Sequence, residues 1–298
     1  MSIIPNRKIW FTFSGTLIVL AILALALWGL KPGIDFTGGS LLELRFPKTV
    51  AVPNAEQFVA IFADLKIESP AVQPSGTQEV VLRFPPATEA QHQDILRRLK
   101  DKYSDELAEV RFDSIGPTIG QELFRKAIVA VVLVTAMILF YIAWSFRKVS
   151  RPVASWVYGG IVVLTFLHDV IIPLGLFAIL GHFKDWEIGS PFIAAVLTIL
   201  GYSISDTIVV LDRVRENIKK LRGTFEEVVE ASVHQTITRS INTSFTTMLA
   251  LIAIFIFGGP TLQVFSLALL VGIAVGAYSS IFIAAPLLVV WQKWRSRR

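Results

Sequence analysis

The sequence is dominated by apolar runs that are each long enough to cross a lipid bilayer. A transmembrane helix needs about 20 consecutive, mainly apolar residues, and only 17% of the 298 residues are charged, against about 25% in soluble domains. We therefore predict an integral membrane protein with six transmembrane helices. The runs are Ile9–Leu30, Ala127–Trp144, Val153–Leu180, Ile188–Leu211, Ile241–Phe257 and a last one that ends near Trp291.

The first apolar run has two possible interpretations. Ala24-Leu25-Ala26 has the small-x-small pattern of a signal-peptide cleavage site. However, the run is longer than the roughly 7–15 residues of a signal-peptide core, and Trp28 follows without a break. We favour a retained first span, so that residues 1–30 are an N-terminus and a transmembrane helix.

Residues 31–125 have the composition of a soluble domain and contain no span. Alternation of apolar and polar residues predicts strands at Ser40–Phe46, Glu79–Phe84 and Glu109–Ile115. Helical periodicity predicts helices at Asn54–Leu65 and Thr88–Tyr103. The order β-α-β-α-β predicts a small two-layer α+β domain of the ferredoxin-like kind, with helices on one face of the sheet.

The distribution of basic residues predicts the orientation of the spans. Cytoplasmic loops are enriched in Lys and Arg, and Lys184 alone falls in the short loops on one side of the six runs. We expect both termini to be cytoplasmic, residues 31–125 to lie outside, and residues 126–298 to hold five spans with a cytoplasmic loop at 212–239. The cytoplasmic basic residues are then Arg7, Lys8, Arg147, Lys148, Arg151, Arg213, Arg215, Lys219, Lys220, Arg222, Arg239, Lys293, Arg295, Arg297 and Arg298.

One carboxylate, Asp206, lies well inside the fourth apolar run. An ionisable group at membrane depth costs a few kcal/mol on insertion scales and is by default a candidate functional residue. Ser203 and Thr207 have the spacing that places them on the same helical face. Asp206 lies about 8 Å from the charged end of its run at 1.5 Å per residue.

Two further polar features accompany Asp206. Arg239 begins the fifth span at the same membrane side, so it could pair with Asp206 either as a structural contact or as a proton-controlled switch. His168-Asp169 lies midway along the third run, followed by Pro173. Histidine titrates near physiological pH, which suits proton movement, whereas an interhelical hydrogen bond is the simpler role for such a pair.

Several classes of function are excluded by the sequence. The chain has no cysteine, which excludes thiolate chemistry and disulfides. It has no nucleotide-binding loop, no nucleophile elbow and no metal-ligand spacing, so we expect no enzyme activity, metal or cofactor. Asp212 could suggest an aspartyl protease with Asp206, but it lies at the charged end of the run. The basic residues flank spans, which argues against nucleic acid.

Two patterns predict packing. Gly272, Gly276 and Ser280 are spaced by four, which is typical of a close helix–helix contact, although membrane helices are generally rich in glycine. Phe225, Val228, Val229, Ser232 and Val233 form an apolar stripe, and we expect that helix to lie along the cytoplasmic membrane interface.

Several motifs resemble those of one known family. Gly33-Ile34-Asp35-Phe36-Thr37-Gly38-Gly39 looks like its GIDFxGG signature, in which the glycines allow a tight turn. Further matching segments are FDSIGP at 112–117, GQEL at 120–123, GYSISDTIVVLDRVREN at 201–217 and RSINTS at 239–244. Together, in order and over the whole chain, they resemble the SecF family of bacterial protein-export membrane proteins.

The resemblance implies a function. It places the chain in the resistance–nodulation–division superfamily as one six-span half, with a SecD-like partner as the other. Such proteins act beside the SecYEG channel with SecA and use the proton motive force to assist preproteins across the inner membrane. It assigns proton conduction to Asp206 and Arg239, with His168, Asp169, Ser203 and Thr207 as weaker candidates.

One departure and two alternatives accompany the resemblance. Ser205 stands where the family commonly has Asn, which concerns the tuning of Asp206 rather than its role. The alternatives are a small-molecule or lipid exporter of the same superfamily, and a purely structural partner of SecD in which Asp206 and Arg239 form a fixed pair.

Overall fold

The computed structural model describes residues 2–75, 77–145 and 153–296. It divides into two compact units, one of residues 32–129 and one of residues 1–31 with 130–298. We call them the sheet domain and the helical unit and describe each by itself. The predicted basic residues at 147–151, together with Arg297 and Arg298, lie outside the described residues.

The helices and strands follow the order expected for a six-span chain with one inserted domain. Within the described residues, six helical segments are long and apolar enough to cross a membrane, the last being α9, a π-helical turn and α10 together. In chain order the elements are α1 (Arg7–Trp28), α2 (Ile34–Thr37), β1 (Gly39–Arg45), α3 (Ala55–Asp64), β2 (Ala71–Ser75), β3 (Glu79–Phe84), α4 (Glu89–Tyr103), β4 (Ala108–Ile115), α5 (Pro117–Ser145), α6 (Ser155–Lys184), α7 (Ser190–Lys220), α8 (Phe225–Phe257), α9 (Pro260–Ser279), the π-helical turn (Ser280–Ala284) and α10 (Ala285–Ser296).

The sheet domain has a four-stranded antiparallel sheet in the order β2-β3-β1-β4. This order and the succession βαββαβ define a ferredoxin-like domain. The three predicted strands and two predicted helices are confirmed to within one residue at each end. The predicted succession β-α-β-α-β was incomplete because it lacked β2, an edge strand that contains Pro74. Proline is tolerated at an edge because its missing N–H faces away from the neighbouring strand.

Capping stabilises the two long helices of this domain, and an apolar core packs them against one face of the sheet. Asn54 and Thr88 cap α3 and α4, each in a reciprocal capping box with the glutamine three residues later. The core between helices and sheet consists of Leu42, Leu44, Phe46, Phe58, Ile61, Phe62, Val80, Leu82, Phe84, Ile95, Leu99 and Leu107. The predicted arrangement of helices on one face therefore holds.

The glycine signature at 33–39 packs against the beginning of α5. Gly38 and Gly39 have φ angles of +77° and +133°, which residues with a side chain rarely adopt. A Cβ on Gly38 would lie 2.7 Å from Pro117 Cα, and a Cβ on Gly120 would lie 2.9 Å from the Gly38 nitrogen. Because only glycine permits this approach, two motifs that are far apart in sequence form one packed junction.

We expect Gly38→Ala to destabilise the protein through this junction, because it combines a clash with an unfavourable φ. The apparent Tm of the purified chain in detergent should fall by roughly 4 °C or more. Gly116→Ala is the matched control, since a Cβ there meets nothing within 4 Å. Equal Tm values for the two variants would show that the junction is not tightly packed.

The sheet face opposite the helices contains a buried carboxylate. Glu43 is 4% exposed and lies between Val81 and Arg111 on the neighbouring strands. Burial raises the pKa of Glu43, Glu79 adds to the rise, and Arg111 and Arg45 oppose it. The folded domain therefore binds a proton at Glu43 more tightly than the unfolded chain does.

This shift predicts that Glu43 lowers stability as the pH rises. Between the unfolded and folded pKa values the folded state holds more protons, so the free energy of unfolding falls with increasing pH through that window. We expect Glu43→Gln to raise the apparent Tm at pH 8 and to change it little at pH 4, where the carboxyl is already protonated. Glu106→Gln, an exposed position in a turn, is the control. A pH-independent difference would contradict the assignment.

Close packing between α7 and α9 organises the helical unit. A Cβ on Gly272 would overlap the side chain of Ile199, and a Cβ on Gly276 would lie 3.1 Å from Ser203 Cβ. The predicted close-packing face is thus confirmed at both glycines. Ser280, the third residue of that pattern, begins the π-helical turn, a feature that often marks functional positions in helices.

Helices α7 and α8 are longer than a bilayer requires. They have 31 and 33 residues, or about 46 and 50 Å at 1.5 Å per residue, whereas a hydrocarbon core measures about 30 Å. Residues 221–224 alone separate them. The segment predicted as a cytoplasmic connection at 212–239 is mostly helical: residues 212–235 form a helical hairpin, which we call the α7–α8 arm.

The predicted helix along the membrane interface is wrong, because α8 continues through this segment. Its apolar stripe belongs to α8, and Val228, Val229, Ser232 and Val233 are buried against protein rather than laid on a membrane surface. Asn217 on α7 donates from Nδ2 to Ser232 Oγ at 2.9 Å, a contact that holds the two limbs of the arm together.

Candidate functional site

The predicted polar residues of α7 point in two directions. Ser203 and Thr207 are buried, and Ser203 faces α9 at Gly276. Asp206 is half-buried and faces α8, where Ser244 Oγ donates to its Oδ2 at 3.4 Å. The predicted single polar face is therefore divided between two neighbouring helices.

Arg239 lies on α8 within electrostatic reach of Asp206. Its side chain is exposed, and the ion pairs within the described part of the chain do not join it to Asp206. The hydroxyls of Ser240 and Ser244 on α8 are buried, and Ser244 Oγ lies 3.4 Å from Asp206 Oδ2. The structure thus brings Asp206 and Arg239 to neighbouring helices without a direct contact between their charges.

Asp169 is the centre of a separate, fully buried hydrogen-bond cluster. Its carboxylate is 0% exposed and accepts from His168 Nδ1 at 2.8 Å, from Ser279 Oγ at 2.8 Å and from Ser203 Oγ. These donors come from α6, α7 and α9. Because a buried polar group is costly unless it is hydrogen-bonded, these contacts tie three spans together. The predicted interhelical hydrogen bond is confirmed.

His168 presents a second nitrogen to this buried region. Nδ1 lies 2.8 Å from Asp169 Oδ1, whereas Nε2 is buried without a hydrogen-bond partner among the described residues. The ring stacks on Tyr278 at 6.4 Å between centroids. Tyr278 in turn donates to the Trp10 carbonyl at 3.1 Å and accepts from Ser14 Oγ at 3.1 Å, which extends the polar contacts to α1.

The sequence did not identify several members of these clusters. Ser279 and Tyr278 lie beside the glycine-rich stripe of the sixth span and carry no motif of their own. Ser240 and Ser244 fall within the RSINTS segment, and their spacing of four was the available signal that both face one neighbour. By the geometry of their contacts, Thr207 Oγ1 and Ser240 Oγ are buried without hydrogen-bond partners among the described residues.

The polar groups around the two acids are mainly hydroxyls. Among the described residues, no three His, Cys, Asp or Glu side chains converge to hold a metal ion. The polar groups near Asp206 and Asp169 are hydroxyls and one imidazole, which can accept and pass hydrogen bonds. Asp206 differs from Asp169 in that part of its surface remains accessible.

Comparisons with known proteins agree on one family. The family described as "Protein export membrane protein SecD/SecF, C-terminal" matches residues 95–294, and "SecD/SecF GG Motif" matches residues 29–50. The SecF subunit of the protein translocase of Anaerolinea thermophila is 37% identical, over 99% of this chain and 96% of its own length. The SecDF subunit of Thermus thermophilus is 34% identical over 96% of this chain but only 38% of its own.

Solved structures agree with the sequence relatives. The crystal structure of SecDF, a translocon-associated membrane protein from Thermus thermophilus, matches with a TM-score of 0.83 and 32% identity. The match covers 98% of this chain and 39% of that one. SecDF in its super-membrane-facing form matches with a TM-score of 0.70 and 34% identity, over 100% and 39% of the two chains.

The fold and the buried polar clusters define a multi-pass membrane protein, one six-span half of a transporter of the resistance–nodulation–division type. Its ferredoxin-like domain is inserted between the first two spans. Within this class, the chain belongs to the SecD/SecF family of protein-export membrane proteins.

We expect Ser279→Ala to destabilise the helical unit, because it removes one of the donors to a buried carboxylate. A buried polar atom left without its hydrogen-bond partner costs about 1–3 kcal/mol. Ser280→Ala is a matched control, since the Ser280 hydroxyl is equally buried but donates only to the Ala277 carbonyl of its own helix. The measurement is resistance of the purified chain to denaturant. Equal losses of stability in the Ser279→Ala and Ser280→Ala variants would show that the hydrogen bond from Ser279 to Asp169 does not stabilise the helical unit.

Proposed function

We propose that this chain is the SecF-type half of a bacterial Sec export assembly. In this proposal it acts with a SecD-type half beside the SecYEG channel, after SecA has pushed a preprotein through, and uses the proton motive force to assist the movement. Its role is transport rather than catalysis. The names of its relatives, protein translocase subunits SecF and SecDF, support this assignment.

The observation that carries the proton-coupled part is the position of Asp206. It is half-buried within an apolar span, beside hydroxyls of α8 and within electrostatic reach of Arg239. An acid in that setting can bind and release a proton while its surroundings rearrange. One charge that crosses 100 mV releases about 2.3 kcal/mol, which is enough to bias two states that bind the proton unequally.

The surface around Asp206 supports a second half as partner. Ser205, Arg239 and Asn242 are exposed on α7 and α8. Polar groups at membrane depth are costly against lipid and are expected to face protein or water. Relatives in which SecD and SecF are fused, such as that of Brucella abortus, support a SecD-type half as the protein that covers this surface.

The charged ends of the helical unit support a cytoplasmic location for both termini. Arg7 near one end and Lys293 near the other both pair with Glu226 on the α7–α8 arm, so these basic residues share one side of the bundle. By the positive-inside rule this side faces the cytoplasm. Residues 32–129 would then lie beyond the outer face of the inner membrane, where the sheet domain would move as Asp206 gains and loses its proton.

We expect Asp206→Asn to abolish the proton-dependent stimulation of export, because the amide cannot exchange a proton, while assembly with a SecD-type partner is retained. The measurement is preprotein uptake into inverted membrane vesicles with and without a proton gradient. Asp212→Asn is the matched control on the same helix, since Asp212 pairs with Arg215 at 3.3 Å near the start of the arm. Full stimulation in the Asp206→Asn vesicles would refute proton coupling at this residue.

Exchange of the two charges separates coupling from a structural role. If Asp206 and Arg239 were a fixed pair, the combined Asp206→Arg and Arg239→Asp variant should keep its activity, whereas a proton site should lose it. The absence of a direct contact between these two side chains favours the second outcome. The readout is again stimulation of export by the gradient, normalised to the amount of assembled protein.

A further inference from the structure

The first residues of the chain are folded onto the α7–α8 arm. Ile3 and Ile4 are 1% and 0% exposed and belong to the same apolar cluster as Val229 and Val233 of α8. Trp10 donates from Nε1 to the Ile3 carbonyl at 3.2 Å. The segment before α1 is therefore a packed part of the helical unit.

One carboxylate holds the backbone of this segment. Glu230 accepts the N–H of Ile3 at Oε1, 2.8 Å, and the N–H of Ile4 at Oε2, 2.7 Å. The capture of two consecutive amides by one carboxyl side chain uses both of its oxygens and gives the contact geometric specificity. His234, one turn further along α8, lies 3.1 Å from Glu230 Oε1 and adds a further donor.

A second acid one turn earlier anchors the side chains around it. Glu226 pairs with Arg7 at 2.7 Å and also with Lys293 of α10. Arg7 additionally donates to the Ile4 carbonyl at 3.0 Å. Through Glu226 and Glu230, the beginning of α8 is joined to the N-terminal segment and to the end of the sixth span.

This attachment has a direct mechanical connection to the Asp206 site. Helix α8 runs without interruption from Phe225 to Phe257, so it carries Glu230 at the arm and Ser244 beside Asp206. At 1.5 Å per residue the two positions are about 21 Å apart along the helix. The anchored residue Glu230 and the residues Arg239, Ser240 and Ser244 near Asp206 are thus carried by one continuous helix.

We propose that residues 2–7 form an N-terminal clamp that fixes α8 through Glu226 and Glu230. These two acids are positioning residues: they hold the hydroxyls and the guanidinium of α8 in register with Asp206. The consequence for transport rests on the proposed function, whereas the clamp itself is a structural statement that can be tested without transport.

The clamp is tested first by the accessibility of Ile4. Because the chain has no cysteine, Ile4→Cys provides a single thiol, and its reaction with a membrane-impermeant maleimide is followed in inverted vesicles that contain a SecD-type partner. Glu230→Gln places an amide N–H₂ against backbone donors, and we expect labelling to accelerate about tenfold or more.

The matched control is Glu227→Gln on the same turn of α8. Glu227 accepts only within its own capping box with Thr224, a role that glutamine also fills. Labelling should therefore match that of Ile4→Cys alone. Equal labelling rates for Glu230→Gln and Glu227→Gln would overturn the clamp.

The positioning role is tested by re-tethering the clamp. Ser2→Cys with Glu230→Cys removes the natural anchor, and we expect export stimulation to fall towards the level of Asp206→Asn. A short reducible bis-maleimide that joins the two thiols should restore stimulation, and reduction should remove it again. A residue needed only for folding would not respond reversibly in assembled protein.

The two proposals fail in different ways. If Asp206→Asn keeps full stimulation in the same vesicles, proton coupling is refuted, while the labelling comparison still decides whether the clamp exists. If Glu230→Gln opens the clamp but stimulation is undiminished, or if bridging does not restore it, the positioning role is refuted.

Discussion

The helical unit depends on a carboxylate that has no access to solvent. Asp169 can remain in the interior only because donors from three spans satisfy it, and those spans can approach one another only because Gly272 and Gly276 present no side chain to α7. The polar contact and the glycine packing thus require each other. Their combination fixes α7 relative to α6 and α9, so that one side of α7 has a defined and rigid neighbourhood.

The other side of α7 is built differently. Asp206 lies one helical turn from Ser203, but it meets a weaker donor at 3.4 Å and retains part of its exposure. The closed cluster around Asp169 fixes α7 against α6 and α9, whereas the more open Asp206 site faces α8. In the proposed function, this division would let protonation of Asp206 shift an equilibrium between two states that bind the proton unequally.

Sequence patterns predicted what depends on local periodicity and missed what depends on partners across helices. Asp206 was identifiable because a charge interrupts an apolar run, and β3 because its residues alternate. Strand β2 was missed because Pro74 and polar neighbours obscure its alternation.

The role of Ser279 depends on its approach to Asp169, 110 residues away in sequence, which no local pattern contains. The connection expected at 212–239 is largely helical, because charges mark the end of a membrane span and not the end of a helix. The capping box formed by Thr224 and Glu227 was the available signal that α8 begins there.

The continuity of α7 and α8 beyond the apolar runs has a physical consequence for this half of the transporter. A helix that ended at the membrane surface could tilt without affecting anything outside it, whereas α8 extends into the arm and is anchored there by Glu226 and Glu230.

The exposed polar residues beside Asp206 remain uncovered in the isolated chain, which spans 39% of the fused SecDF structure it resembles. Since such residues are costly against lipid, a second half that covers them would complete the environment of Asp206 from the opposite side. In the proposed assembly, Asp206 lies between a helix fixed by its own chain and a surface supplied by the partner.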